Sequence, residues 1–518
     1  MPSLDRRTLI KSAAWGAAAA WPGVAFAQTN GRPSLRIATP TQPDYSDPLM
    51  KNDTPALRML YSAYDSLLRL DFTDGMALKP AIAERWQRID ASTVEFKLRP
   101  GVKFHDGSEV TADDVLFSFS EQRRLGPNGA GATVASQYQR SIASVEATDP
   151  MTIRIRTTTP DPVIEKKLAA WSAQIVSRAA FDRAGSWDRW FAAPVGAGAY
   201  KVVSNRRDID FVLEAHDQYW GGRPSFARIE FRVVPEAASR INGLLAGDYD
   251  MITDVLPDQF DNVAAAGFDI IGGAIDNLRI VTIDTTGPWL SDVRIRRALS
   301  LAVDRDLIAS QLWAGRVGVP NGAQYPIFDD AYVADFQAPA HNPDQARQLV
   351  QAAGYNGDPI PYRLMNNWYP NQILTAQILV EMWKAAGLNV VLQPVENWTQ
   401  VYAKPFGGLC DNSFLPSWPD PTGMVWRQYG PGGNTYRLNV WDSPEYQSVG
   451  AAFEQAADPK ERARLQRRSL EILADQVPFV ILHSNGAFYA RRKDLAWAPY
   501  STLMLDFGPF NPATKAAG

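Results

Sequence analysis

Four histidines and one cysteine are the side chains best suited to metal or nucleophilic chemistry, and their placement argues against both. His105, His216, His341 and His483 are far apart in the chain. No H-E-x-x-H or G-x-S-x-G pattern occurs, and the sequence neighbours of Cys410 offer no metal-ligand pattern. His105 and Asp106 are adjacent, as a general base and its orienting carboxylate could be. They fall in a His105-Asp106-Gly107 turn, however, where neighbouring side chains point apart and glycine supplies a positive φ. Gly196-Ala197-Gly198 lacks both the Gly-Lys-Ser/Thr of a phosphate loop and a third glycine, so it reads as a tight entry to a strand. The 56 acidic residues guarantee close carboxylate pairs somewhere, and nothing in the sequence singles one out. The chemistry that remains is noncovalent. Sixteen tryptophans are mostly core filler, yet a few could wall a cleft, since flat rings bury a solute at little entropic cost.

The elements that must position these rings alternate between strand and helix. Leu35–Ala38 reads as a short strand, and Ala56–Leu68 as a helix from the spacing of Leu57, Leu60, Tyr61, Tyr64, Leu67 and Leu68. Thr93–Arg99 alternates as a strand, Pro100-Gly101 turns the chain, and Val102–Phe104 runs back. Thr111-Ala112-Asp113-Asp114 then predicts a capped helix from Val115. Further strands are expected at Ile153–Arg156, Tyr200–Val203, Phe211–Ala215, Ile229–Val234, Tyr249–Ile252 and Val390–Leu392. Helices are expected at Ala237–Ala246, Asp292–Val303, Pro343–Ala353 and Leu374–Ala386. No short-period repeat is present, and the mix implies an α/β protein with inserted domains.

The first 27 residues have the layout of an export signal. Arg6-Arg7 and Lys11 precede a mildly apolar run from Ser12 to Phe26, and Ala25-Phe26-Ala27 has the small-x-small form of a cleavage site. Arg6-Arg7-Thr8-Leu9-Ile10-Lys11 resembles a twin-arginine signal. The run is too short and too alanine-rich to span a bilayer, so cleavage after Ala27 is expected. No cysteine follows that site to carry a lipid, which points to a free periplasmic product. Removing three basic residues against Asp5 leaves a chain more acidic than the formal −4 of the whole. With no basic block, nucleic acid is excluded as a partner. With 46% hydrophobic and 21% charged residues, the chain is long enough for two or three globular domains.

Four ordered blocks then carry a resemblance. They are Ala83-Glu84-Arg85-Trp86 through Phe96-Lys97-Leu98-Arg99-Pro100-Gly101-Val102-Lys103-Phe104-His105-Asp106-Gly107 to Val115; Pro194–Tyr200; Asp292–Ser300 with Ala302-Val303-Asp304-Arg305; and Asn342–Leu349 with Ala353-Gly354-Tyr355. Together they resemble the extracytoplasmic solute-binding proteins of the dipeptide, oligopeptide and nickel ABC importers, solute-binding protein family 5. The resemblance implies a two-lobed periplasmic binding fold of the cluster C type, with an extra inserted domain and a hinge between the lobes. Lobe I would take residues 28–64, 196–285 and 484–518, the extra domain 65–195, and lobe II 286–483. It implies a monomer that closes on a peptide or related small solute and docks on ABC permease membrane subunits. No enzyme activity, cofactor or metal is expected.

Two departures bear on the ligand. In the family's dipeptide binders, an arginine before an Asn-Pro stretch holds the ligand carboxylate, and an aspartate between a tryptophan and an Asp-Pro holds its ammonium. Here the first stretch reads Leu364-Met365-Asn366-Asn367-Trp368-Tyr369-Pro370-Asn371. The second, Trp418-Pro419-Asp420-Pro421, lacks the spacer that would carry the aspartate. A desolvated zwitterion needs a counter-charge at each end, so a free dipeptide is disfavoured. Longer peptides, oligosaccharides and modified amino acids stay open. Asn366, Asn367, Trp368, Tyr369, Trp398, Trp418, Asp420 and Trp426 are the candidate ligand-binding residues. A chemosensory receptor of the same fold, or a secreted hydrolase with an aromatic cleft, are the alternatives.

Overall fold

The computed structural model describes residues 31–365 and 368–515. The leader with its cleavage site, and the candidates Asn366 and Asn367, lie outside the described residues.

The chain begins with β1 (Ser34–Thr39) and a helix, Thr54–Leu60, whose N-terminus is capped by Asp53. The expected helix over 56–68 is shorter than its spacing suggests. A 3-10 turn, Tyr61–Ala63, ends it, and Tyr64 is extended. The Ala63 carbonyl accepts from the Gly198 amide, and the Ser66 and Leu67 carbonyls from Ile82 and Ala83. Those long-range partners replace the donors that a continuing helix would have supplied. The short strands β2 (Leu68–Asp71) and β3 (Ala77–Pro80) follow as a hairpin.

A four-stranded antiparallel sheet comes next: β4 (Ala83–Asp90), β5 (Thr93–Leu98), β6 (Ile142–Asp149) and β7 (Thr152–Thr157), in the order β4-β5-β7-β6. Alternation puts Val94, Phe96 and Leu98 into a core with Ile153 and Ile155. The Val102–Phe104 segment does not return along β5. It folds round the His105-Asp106-Gly107 turn, with Phe104 and Val102 bonding to Ser108 and Val110. Gly107 has φ +86° there, and Thr111 with Asp114 forms the expected capping box of the helix Ala112–Ser118.

The remaining strands join β1 in one ten-stranded sheet. They are β8 (Tyr200–Arg206), β9 (Asp210–Ala215), β10 (Arg228–Val233), β11 (Met251–Thr253), β12 (Asp269–Ile283), β13 (Ile360–Met365), β14 (Val390–Val395), β15 (Leu409–Phe414) and β16 (Phe479–Arg491). Their order is β14-β13-β15-β12-β16-β11-β1-β10-β9-β8. The sheet therefore has two halves joined through its longest strands. β11 pairs with the end of β16 (Met251 opposite Arg491), whereas β15 pairs with the end of β12 (Leu278 opposite Phe414). The β12–β16 ladder slips midway, where Ile275, Asp276 and Asn277 oppose Asn485, and the Asn485 amide donates to Asn277 Oδ1 at 3.1 Å. Each half has its own core, one around Leu35, Ile37, Phe211 and Phe231, the other around Val281, Ile283, Tyr362 and Leu379.

Candidate ligand cavity

A large cavity encloses about 970 Å³, counting its open mouth, and takes its wall from segments beside the ten-stranded sheet, among them Ala199 just before β8 and Leu415–Ser417 just after β15. One side is formed by the Tyr61–Asp71 segment, by Trp171 and Gln174, and by Tyr500, Asp506 and Phe510 near the C-terminus. Leu415, Pro416 and Ser417, just after β15, complete the wall. The glycine-rich loop sets this arrangement. A Cβ on Gly198 would stand 2.4 Å from the Ala63 carbonyl carbon, so only glycine lets the two backbones touch. Ser66 then bridges Gln174, and the Ile175 amide donates to the Asp65 carbonyl at 2.8 Å.

The wall carries three carboxylates, Asp65, Asp71 and Asp506, against one guanidinium, Arg69. Asp65 accepts from the Trp220 indole at 2.6 Å and the Tyr219 hydroxyl at 3.3 Å. Among the described residues no cation lies within ion-pair distance of it. Burial pushes its pKa up to about 7, against the lowering effect of those two donors. Asp506 accepts from the Tyr500 hydroxyl and the Gly508 amide. The Arg69 guanidinium lies 4.0 Å over the Phe510 ring. The phenols of Tyr61, Tyr219 and Tyr500 are pushed up by burial and stay neutral donors. Such a wall can desolvate and hold a solute.

Of the sequence candidates, three come together. The Trp368 ring meets Trp398 edge-on at 5.5 Å, Trp398 stacks on Tyr402, and Tyr369 lies against the Arg279 guanidinium at 3.8 Å. A buried network holds this corner. Arg279 pairs with Asp411, which also accepts from Tyr362 and Gln372, and the Gln372 carbonyl oxygen accepts the backbone amides of Trp368 and Tyr369. Trp418 and Asp420 sit apart, each 2% exposed. The Trp418 indole donates to the Thr422 hydroxyl, while the Asp420 carboxylate pairs with buried Arg462 and caps the Thr422 turn. Trp426 packs against Tyr446 in a separate core. None of these six lines the large cavity, although Trp418 directly follows Ser417 in its wall. Asp65, Arg69, Gln174, Tyr219 and Tyr500 do line it and were not anticipated. The signal was present in part, because Asp65 and Arg69 interrupt an otherwise uncharged, apolar-rich stretch from Leu60 to Leu70.

The His105-Asp106 pair is occupied by structure. His105 Nδ1 accepts from the Gly196 amide at 3.2 Å, and its Nε2 meets the Gly198 carbonyl, which His216 Nδ1 also bonds. Burial, with repulsion from His216, pushes His105 down to about 3, so it stays neutral. Asp106 turns to Ser108 and Arg183. Cys410 is buried, and its thiol is pushed up by desolvation. Among the described residues no group of three or more His, Cys, Asp or Glu could hold a metal ion.

The family model for bacterial extracellular solute-binding proteins, family 5 (middle region), matches residues 77–436. Heme-binding protein A of Haemophilus influenzae is 28% identical over 79% of this chain and 79% of its own length. A probable di/tripeptide-binding protein of Pseudomonas aeruginosa is 25% identical over 91% and 94%. The crystal structure of a dipeptide-binding protein from Pseudoalteromonas with Met-Leu superposes with a TM-score of 0.83, covering 92% of this chain and 99% of that one at 19% identity. That last likeness establishes the two-lobed binding-protein fold.

Proposed function

The chain belongs to family 5 of the bacterial extracellular solute-binding proteins, and from that premise we propose that this substrate-binding component serves an ABC importer and takes a peptide or related small solute. The solute is held between two lobes, and the closed form delivers it to the membrane permease. The observation that carries this reading is the junction itself. Two long strands, β12 and β16, join the halves of the large sheet, and a large cavity is lined by segments adjoining each half, at Ala199 and at Leu415–Ser417. The lobes are taken as 28–64, 196–285 and 484–518 against 286–483, with 65–195 as the extra domain. The separate core around Phe96 and Ile153 supports that division. The peptide reading draws on the di/tripeptide-binding relative. Trp368, Tyr369 and Trp398 remain candidate contacts on lobe II.

The protein acts as a binder and not a catalyst, a reading supported by histidines already engaged by backbone groups. We place it in the periplasm as a free monomer, its twin-arginine leader removed after Ala27. Among the described residues no helix is long and apolar enough to cross a membrane. Thermal unfolding of residues 28–518 with tripeptides, sugars and metal ions tests the proposal. A ligand at 100 times its Kd stabilises the folded state by about 2.7 kcal/mol, so a true ligand raises Tm by a few degrees. Tripeptides are expected to do so. A shift with sugars or metals alone would contradict the peptide reading.

A further inference from the structure

The helix Ala132–Tyr138 and the turn after it have two very different neighbours. Toward residues 28–64 the contact is dry. Arg123 pairs with Asp47, both side chains fully buried, the Trp190 indole donates to the same carboxylate at 2.6 Å, and Val134 and Tyr138 share a core with Leu49 and Met50. Parting such a pair would strand a charge out of water, so this side stays shut. Toward residues 286–483 the contact is polar and shallow. Arg140 pairs with Glu454 on the helix Pro444–Gln455, each side chain 27% exposed, and also donates to the Pro431 carbonyl. The Lys166 ammonium donates to the Pro419 carbonyl at 2.9 Å, and the Ser136 hydroxyl to the Gly432 carbonyl at 3.3 Å. A gap of about 280 Å³, counting its open side, runs through this seam, and in it the Gln137 side-chain nitrogen and the Ser141 hydroxyl have no hydrogen-bond partner among the described residues. Exposed pairs contribute little, and parting the seam lets water meet those two groups, so it is a contact that can open and close.

The segment that the seam grips is the one carrying Trp418 and Asp420. Asp420 pairs with Arg462 and so ties the segment to lobe II, while Trp418 meets the Tyr138 ring edge-on at 5.8 Å. The Tyr138 hydroxyl bonds that of Ser417 at 2.8 Å, and Ser417 lines the large cavity. We propose that the extra domain is the clasp of the closed form: moving with lobe I, it takes hold of the Ser417–Gly432 segment through Tyr138, Arg140 and Lys166, and so sets how long a solute stays enclosed. The inference rests on the lobe division and the peptide-binding reading above. It gives Trp418 and Asp420 a part in closure instead of in contact with the solute.

The test is a charge swap across the seam, made in residues 28–518 at two side chains that do not line the cavity. Glu454→Arg sets two guanidiniums face to face; adding Arg140→Glu restores an opposite pair. Stopped-flow tryptophan fluorescence with trialanine reads the rates. Glu454→Arg should speed dissociation about ten-fold and leave association within a few-fold, because the seam forms only after the peptide has entered. The double variant should return dissociation to within about three-fold of the unmodified rate, a rescue that general damage to the fold would not give. Equal dissociation rates in the unmodified protein and Glu454→Arg, or a double variant as fast as the single one, overturn the clasp and leave the peptide-binding reading intact. If trialanine does not bind the unmodified protein, the peptide-binding reading falls and X-ray scattering in solution decides the clasp. Glu454→Arg should then enlarge the radius of gyration and the double variant restore it, and equal radii overturn the clasp as well.

Discussion

Asp65 is a carboxylate in a place that resists its ionisation. Burial raises its pKa to about 7 from an ordinary carboxylate value, so the folded protein favours the protonated form only below neutral pH. The sign of the stability term follows. The folded state binds the proton more tightly than the unfolded chain, so this term is fully present below pH 4 and is lost as pH rises toward 7. Asp506, Arg69, Asp71 and the phenols of Tyr61, Tyr219 and Tyr500 line the same cavity, and the phenols stay neutral across this range. Asp65→Asn, which cannot bind that proton, should therefore flatten the part of the stability profile between about pH 4 and pH 7. Urea midpoints of the variant and the unmodified protein across that range check this, and parallel profiles would mean that Asp65 does not carry the shift. Asp420 shows how a candidate contact read from sequence can already be engaged within the fold. Its spacing beside a tryptophan and a proline suggested a ligand contact, yet its carboxylate is met by Arg462, 42 positions away. A partner that distant leaves no local trace in sequence.

At the scale of elements, β12 and β16 matter most, and they were the hardest to read in advance. Nearly every residue of β16 is buried, as is the second half of β12, so neither shows the alternation that marks a one-sided strand. β5 and β10 were legible because each has a wet face. The helix over 56–68 was read too long because Tyr64, Leu67 and Leu68 keep a helical spacing while their backbone bonds go to Gly198, Ile82 and Ala83 and their neighbours. In β12, Gly272 has φ +98°, and a Cβ there would stand 2.1 Å from the Ala487 carbonyl oxygen. Both strain and collision act against any side chain. Gly272→Ala should cost at least about 2 kcal/mol, read as a lower urea midpoint for unfolding. An unchanged midpoint would mean that β12 and β16 do not run so close beside the mid-ladder slip.

For the whole molecule, the division of labour follows from the topology. One core forms at each half of a shared sheet, and the chain passes between the halves through β12 and β16, whose ladder slips at Asn277 and Asn485. A slipped ladder is a natural place for two packed bodies to rotate, and a cavity lined by segments adjoining each can be shut by that rotation. The general class was readable from four sequence blocks because they are turns and caps, such as Thr111 with Asp114 and the Gly196–Gly198 loop, whose chemistry is local. The cavity was not, because Asp65, Gln174, Ser417 and Tyr500 meet only after the sheet has formed. The central claim is that this protein holds a peptide reversibly and leaves it unchanged. Its most direct measurement is titration of the mature protein with trialanine, followed by mass analysis of the peptide recovered after prolonged incubation. Saturable 1:1 binding with the peptide returned intact is the predicted result; absence of saturable binding, or recovery of shorter fragments, would contradict it.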